Sequence, residues 1–157
     1  MTELNCHIRC ATVADAAVIA HQRARMFYDL GRISDDAAAA IEAETQRQMG
    51  ELLESGDYLA WLAECDGKIV GGGGVMMRRL LPRPGAWQGA EEAYILNVYT
   101  EPDYRRRGVA RKLMETIIAW AQARGCERVT LHPSEDGRAL YESLGFVPTD
   151  ELRLRRD

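Results

Sequence analysis

The spacing of apolar residues changes several times along the chain, and each change predicts a new element. Alternation of apolar and polar residues predicts a strand at 7–12, and short runs bounded by turn signals predict strands at 58–65, 68–79, 91–100, 127–132 and 146–155. Apolar residues three or four apart predict helices at 12–31, 34–55, 108–125 and 134–145. The resulting order is β-α-α-β-β-β-α-β-α-β. It predicts an α/β class fold, an α+β mixed sheet with helices on both faces.

Several short signals set the ends of these elements. Ser34 and Ser134 are placed to cap helices, Thr12 with Asp15 resembles a capping box, and Pro102 ends the strand at 91–100. The Asp-Gly pair at 66–67 predicts a tight hairpin. The glycine run 71–74 lies inside a strand pattern, and neither common nucleotide-binding glycine motif is present. It therefore predicts a bulged or bent strand that another backbone or a ligand approaches closely, not a phosphate loop.

Length and composition narrow the class of protein. The 157 residues, 46% of them hydrophobic and 28% charged, suit a single domain over 1–157. The net charge of −4 disfavours a nucleic-acid partner, and no apolar run approaches the ~20 residues of a membrane span. The first residues lack the pattern of a secretory signal, so the expected location is cytoplasmic. A homodimer is compatible with the sequence.

The four cysteines, at positions 6, 10, 65 and 126, show no regular spacing. This pattern predicts free thiols in a reducing compartment and no structural disulfide. Cys6, His7 and Cys10 lack the second ligand cluster that a structural zinc site requires, so no metal is expected.

A possible anion site lies at 104–114, where three consecutive arginines precede Gly108, Val109 and Ala110 at the start of a helix. The first N–H groups of a helix have no internal partner and carry the positive end of the helix dipole. Small residues let an anion approach those groups, and arginines add charge that a diphosphate can share. The alternative is a solvated arginine cluster ahead of an ordinary helix.

Two motifs in this chain resemble those of the GNAT superfamily of N-acetyltransferases. Residues 105–110, RRRGVA, match the family signature [RQ]-x-x-G-x-[GA] between the fourth strand and the third helix. Further on, Ser134, Tyr141, Gly145 and Phe146 stand in the register of a second motif, although that motif usually begins with Asn. The predicted element order also fits the family over nearly the whole chain. The resemblance implies a fold in which the fourth and fifth strands splay apart.

The resemblance implies acetyl-CoA as the cofactor and transfer of its acetyl group to a primary amine of a small molecule or peptide. By position in the motifs, the cofactor-binding residues would be Val98, Tyr99, Thr100, Arg105, Arg106, Arg107, Gly108, Val109, Ala110, Arg111 and Ser134. Ser134 would either contact the cofactor or simply cap its helix. Tyr141 would be the general acid that protonates the departing thiolate, because an unperturbed tyrosine is protonated at neutral pH. Packing in the core is the alternative role for its ring.

The acceptor and the general base stay open. Glu91, Glu92 and His132 are candidate bases acting through water. The walls of the acceptor pocket are expected around the splayed strands, from Met26, Phe27, Tyr28 and Trp87, with Glu92 as a further substrate contact. The helical spacing of Phe27 favours the core as the alternative place for its ring. Asp29 would suit a cationic acceptor, whereas Arg32 or Arg83 would suit a carboxylate.

Two other classes of function remain in view. A non-catalytic acyl-CoA-binding sensor would share the fold, but Tyr141 is intact. A nucleic-acid-binding protein would use the basic segments 105–112 and 153–156, against which the net charge and both motifs argue.

Overall fold

The computed structural model describes residues 4–156 and contains five strands and four α-helices. The elements follow the order β1 Cys6–Cys10, α1 Ala16–Asp29, α2 Asp35–Ser55, β2 Tyr58–Cys65, β3 Lys68–Leu80, β4 Ala90–Thr100, α3 Val109–Arg124, β5 Arg128–Leu131 and α4 Glu135–Ser143. Each of the predicted helices is present. No helix in this part of the chain is both long and apolar enough to cross a bilayer.

All five strands form one mixed sheet in the order β1-β2-β3-β4-β5. The first three pairings are antiparallel, and β4 and β5 pair in parallel. Side chains on one face of the sheet pack against α3 in a core that includes Leu113, Met114 and Ile117. The opposite face packs against α1 and α2 through Ile19 and Met49. The sheet therefore has helices on both faces, as the alternating patterns predict.

Local sequence signals act where they were expected. The Ser34 hydroxyl accepts a hydrogen bond from the Ala37 amide, and Asp15 completes a capping box with Thr12. Asp66 and Gly67 both have positive φ, as a tight hairpin turn with matching twist requires. These contacts satisfy backbone groups that the ends of regular elements leave without partners.

The glycine run lies in the middle of β3 and allows close packing on both sides. A Cβ on Gly71 would lie 2.7 Å from the carbonyl oxygen of Tyr99, and one on Gly74 would lie 2.7 Å from that of Leu59. A real Cβ does not come this close to a carbonyl oxygen, so both positions require glycine. The predicted close approach of another backbone is confirmed.

A bulge in β4 lies opposite the same run. Leu96 pairs with Gly74 and Tyr99 with Gly72, so two residues of β4, Asn97 and Val98, face one residue of β3. Asn97 has a φ of 60°, the left-handed conformation that asparagine tolerates better than most residues. The bulge changes the direction of β4 just where its pairing with β5 has ended, since the last pair is Ile95 with Leu131.

Two predictions are wrong. The segment 146–155 was expected to be a strand, but residues 146–156 form neither helix nor strand. An alternating pattern shows which residues would share a face of a strand. A strand also needs a neighbouring strand to bond with, and the C-terminal tail, residues 146–156, pairs with no strand within residues 4–156. Leu152 and Leu154 are consequently almost fully exposed.

The second error concerns the cysteines, because Cys6 and Cys65 form a disulfide. They are 59 residues apart in sequence but directly opposite each other in the antiparallel pairing of β1 with β2. Spacing along the chain carries no information about this register. Cys10 and Cys126 remain free thiols.

Candidate functional site

A cleft of about 770 Å³ opens where β4 and β5 part. Its walls come from the second half of β4, the end of β5, the last turns of α1, the start of α3 and the inner side of α4. Elements from both faces of the sheet therefore meet at this cleft. It is large enough for an extended ligand of the size that protein pockets commonly hold.

The edge of β4 inside the cleft is available for hydrogen bonding. β5 pairs with residues 92–95, and in the described part of the chain, residues 4–156, no strand lies beside residues 96–100 on that side. Val98, Tyr99 and Thr100 all line the cleft. The hydroxyl oxygen of Thr100 is buried without a hydrogen-bond partner within residues 4–156. An extended ligand lying along this edge would pair with the strand as a further strand does.

The loop after β4 and the first turn of α3 form an anion-binding end. Gly108 is the N-cap of α3, with a φ of 83° and no side-chain cap bond, and open space lies where its Cβ would be. Arg106 also has a positive φ, 57°. The amides of Val109, Ala110 and Arg111 belong to the first turn, where a helix offers no internal acceptors. This geometry matches the backbone arrangement that binds phosphate in other proteins.

The arginines of the signature have different surroundings. Arg105 lines the cleft, donates to the carbonyl oxygen of Thr100 at 2.8 Å and forms an ion pair with Asp29 at 2.6 Å. Arg106 and Arg107 are exposed. Arg111 donates to the Ser143 hydroxyl at 2.7 Å and so links α3 to α4. The side chain of Val109 is buried in the core. Of residues 105–111, Arg105 and Ala110 line the cleft, and the others lie outside its lining.

Helix α4 brings Ser134 and Tyr141 to the cleft. The Ser134 hydroxyl accepts from the Gly137 amide at 3.2 Å, which confirms its capping role, and the residue also lines the cleft. The ring of Tyr141 packs edge-to-face on Phe146, with 6.1 Å between ring centres. Burial raises the pKa of Tyr141 above its ordinary value, so its hydroxyl stays protonated at neutral pH.

A polar chain crosses from the core to the cleft at the bulge. Asn97 donates from its side-chain nitrogen to the buried hydroxyl of Tyr58 at 2.9 Å, and its side-chain oxygen accepts from Arg23 at 2.6 Å. Burial raises the pKa of Tyr58 to about 12. This chain holds Asn97 in its left-handed conformation and thereby sets the direction of Val98. No sequence signal predicts this chain, because Arg23 and Asn97 are 74 residues apart and no short motif connects them.

A second missed group lies at the end of β5. The Tyr94 hydroxyl lies 3.2 Å from Nδ1 of His132, and Arg153 lies 2.7 Å from Nε2 of the same ring. All three residues line the cleft. Arg153 can only donate, so Nε2 is the accepting nitrogen and the ring hydrogen is on Nδ1.

Some of the residues predicted to line the acceptor pocket lie in the cleft, and others do not. Phe27 lines the cleft, and so does Met26. Tyr28, Trp87 and Glu92 do not line it: Tyr28 stacks under Arg25, and Trp87 is 75% exposed in the loop before β4. Glu92 is 7% exposed and is bound by Arg78 at 3.1 Å.

The three candidate bases also differ. Glu91 pairs with Arg124 and Glu92 with Arg78, both away from the cleft. His132 is the one of the three that lines it. No group of three or more His, Cys, Asp or Glu side chains suited to a metal ion is found within residues 4–156.

A sequence model of the acetyltransferase (GNAT) family matches residues 17–146, which is most of the chain. The chain belongs to the GNAT family of acetyltransferases. A GCN5-related N-acetyltransferase from Ralstonia eutropha JMP134 is 28% identical, with a TM-score of 0.85 and coverage of 97% of this chain and 99% of the other. A predicted acetyltransferase with acetyl-CoA from Clostridium acetobutylicum is 27% identical, with a TM-score of 0.83 and coverage of 96% of each chain. This GNAT chain therefore shares its whole described fold with both.

Curated relatives of this GNAT protein match over shorter stretches. An aminoglycoside N(6')-acetyltransferase type 1 of Acinetobacter genomosp. 13 is 34% identical over 68 residues, 41% of this chain and 47% of the relative. A glucosamine 6-phosphate N-acetyltransferase of Trypanosoma brucei brucei is 32% identical over 91 residues, 58% of each chain. The matches thus span about half the length of these relatives.

The GNAT family uses acetyl-CoA, and the residues of this cleft fit that group. The free edge of β4 suits an extended amide-containing arm, and the unpartnered Thr100 hydroxyl lies buried beside it. The open first turn of α3 suits a diphosphate. These two features lie next to each other along one cleft, because β4 ends at Thr100 and a short loop connects it to the first turn of α3.

Proposed function

We propose that this protein is an acetyl-CoA-dependent N-acetyltransferase that acts on a primary amine of a small molecule or peptide. The observation that carries the proposal is the adjacency of a free β4 edge, an uncapped α3 N-terminus and the Tyr141 hydroxyl in one cleft. A pure binding site would need the first two features. The third is a proton donor, which a reaction that expels a thiolate can use.

Binding of the cofactor is assigned to backbone groups more than to side chains. Backbone groups of Val98, Tyr99 and Thr100 would hold the extended arm, and the amides of residues 106–111 would hold the diphosphate. Arg105 is fixed by Thr100 and Asp29, so it would shape the turn and add positive charge. When bound, acetyl-CoA supplies an acetyl thioester whose carbonyl carbon is the electrophile for an amine nitrogen.

The bulge in β4 has a role in this proposal. Asn97 takes up the left-handed conformation, and its bonds to Tyr58 and Arg23 hold it there. The amide of Val98 would then point into the cleft, where it polarises the reacting carbonyl as a single oxyanion-type donor.

Two residues are assigned to proton movement. Tyr141 would give its hydroxyl proton to the departing sulfur, since burial keeps that hydroxyl protonated. His132 would receive the proton of the amine, directly or through water, because it is the candidate base that lines the cleft. Its Nε2 must be released by Arg153 before it accepts that proton.

The proposal is tested by measuring release of free CoA from acetyl-CoA in the presence of a panel of amines. Release that depends on both the protein and an amine supports it. Saturable binding of acetyl-CoA without turnover of any amine would instead support a non-catalytic acyl-CoA sensor. Neither binding nor turnover by a folded sample would contradict the proposal.

A further inference from the structure

Three arginines in the cleft have no carboxylate partner among residues 4–156. Arg23, Arg32 and Arg153 all line it, and none of them forms an ion pair within residues 4–156. The opposing charges in the lining are Asp29 and Asp136. Asp29 is already matched, because Arg105 binds it at 2.6 Å and Arg25 lies 3.6 Å from it. The cleft therefore carries an excess of positive charge.

The anion-binding end of α3 does not account for two of these arginines. That end follows the last residue of β4, at residues 105–111. Arg23 instead contacts Asn97, within β4, and Arg153 contacts His132, directly after β5. Both arginines thus lie beside the strand, on the stretch where β4 and β5 separate. Their charge is therefore available to an anionic group other than the diphosphate.

Arg23 is built as an anion-binding group. Its guanidinium stacks on Phe27, 4.9 Å from the ring centre, and one nitrogen donates to the side-chain oxygen of Asn97. Asn97 is neutral, so this bond fixes the direction of Arg23 without cancelling its charge. A guanidinium has five N–H donors in a flat fork, and those not used by Asn97 remain for a carboxylate or phosphate.

The structure distinguishes the three charged candidates for the acceptor pocket, Asp29, Arg32 and Arg83. Arg83 pairs with Glu127 and does not line the cleft, and Asp29 is bound by two arginines. Arg32 lines the cleft and follows the end of α1 in the chain. A cationic acceptor would have Asp136, on α4, as the one lining carboxylate without an ion pair within residues 4–156, whereas an anionic acceptor would have the guanidinium groups of Arg23 and Arg153, whose hydrogen-bond partners are neutral.

We infer that the acceptor amine carries a carboxylate or phosphate group, which Arg23 binds with help from Arg153. This inference rests on the proposed N-acetyltransferase function and specifies its substrate class. The guanidinium of Arg23 would position the anion beside the bulge, so that the amine at the other end of the acceptor reaches the position beside the Val98 amide. Arg153 would hold the same group from the side of the tail.

The test compares matched pairs of amines at equal concentration. An amino acid against its carboxamide tests the carboxylate, glucosamine 6-phosphate against glucosamine tests the phosphate, and an aminoglycoside tests a cationic acceptor. We expect kcat/KM for one anionic member to exceed that of its neutral partner by about tenfold or more, the usual effect of a charge-assisted hydrogen bond. Equal values within both pairs, or a preference for the aminoglycoside, would overturn the inference.

Variants then assign the effect to the two arginines. Arg23→Gln and Arg153→Gln should each lower the anionic-to-neutral ratio by about tenfold, and Arg23→Lys should restore part of it. Arg79→Gln is the matched control, since Arg79 is exposed on β3 and does not line the cleft. Arg153 lies in the exposed tail, so its variant keeps the test sound even if Arg23→Gln disturbs Asn97. An unchanged ratio in both variants would overturn the inference.

Failure of the proposed function is recognised separately. If no amine is acetylated, calorimetry with the same pairs, in the presence of CoA, measures acceptor binding without any reaction. Tighter binding of an anionic member that is lost in both glutamine variants would support the anion site while contradicting the enzymatic proposal. Equal binding of both members would overturn the anion site itself.

Discussion

Replacing Tyr141 with phenylalanine separates a catalytic hydroxyl from a packed ring. The Tyr141 ring packs on Phe146, and Tyr141→Phe keeps that contact. Tyr141 lines the cleft, and burial is the one cause of its raised pKa, with no hydrogen-bonding side chain within residues 4–156 contributing. The variant therefore breaks no protein hydrogen bond, and we expect its unfolding free energy to change by less than about 0.5 kcal/mol.

The expected loss appears in the rate. A general acid contributes about 10² to 10⁴-fold, and a thiolate is a fair leaving group, so kcat should fall by about 100-fold, at the low end. KM for acetyl-CoA should change little, because a proton donor acts in the transition state more than in binding. Since burial raises the pKa of Tyr141 above the ordinary tyrosine value of ~10, the parent enzyme should lose no activity from this group between about pH 7 and 9.

The assay is steady-state release of CoA with an amine found by screening. Tyr104→Phe is the matched control, because Tyr104 does not line the cleft and the substitution is chemically identical. Its kcat should stay within about twofold of the parent. If Tyr141→Phe also turns over within about twofold, Tyr141 is not the acid and its ring serves only packing.

Three further outcomes are expected. CoA or acetyl-CoA should raise the melting temperature by mass action, and no shift at millimolar cofactor would contradict the assigned site. Gly108→Glu should abolish that shift while Gly85→Glu retains it: both glycines have positive φ and open space, so only position differs. Equal shifts in melting temperature for the two variants would show that the phosphates of the cofactor bind elsewhere. Reducing the Cys6–Cys65 bond should lower the unfolding free energy by about 4 kcal/mol on the chain-entropy estimate for its 59-residue separation, and identical denaturation curves with and without reductant would contradict it.

Elements with local signals were predictable from the sequence. Ser34 and Ser134 are capping residues with side chains that accept from the expected amides, and the Asp-Gly turn joins β2 to β3. Each signal acts within three or four residues, so the chemistry is visible in the sequence itself. The loop and first turn at 105–111 were recognised for the same reason: small residues and an open helix end are local properties.

Features that depend on register or on distant contacts were not predictable. Cys6 meets Cys65 because β1 and β2 align in one register out of several, and a shift of one residue would place the two side chains on opposite faces. Asn97 reaches Arg23 across 74 residues, and its bulge exists only because β3 is one residue shorter there than β4. The tail kept its alternation without a partner strand, which no periodicity can reveal.

On the acceptor side of the cleft, too, the features that depend on distant contacts were not predictable from the sequence. The helical spacing of Phe27 favours the core, yet Phe27 lines the cleft, whereas Trp87 lies exposed in a loop. Arg23 and Arg153 carry the charge that decides between acceptor classes, and neither belongs to a recognisable motif. Whether a charged side chain is available to a substrate depends on its ion pairs, and these form only in the folded molecule.

The central claim is transfer of an acetyl group to nitrogen, and the mass of the acceptor measures it directly. The protein is incubated with acetyl-CoA and the amine panel, and each amine is then analysed by mass spectrometry with fragmentation. We predict that at least one amine gains a single acetyl group on its nitrogen, in an amount equal to the CoA released. Release of CoA with every amine unchanged would show hydrolysis rather than transfer and would contradict the account.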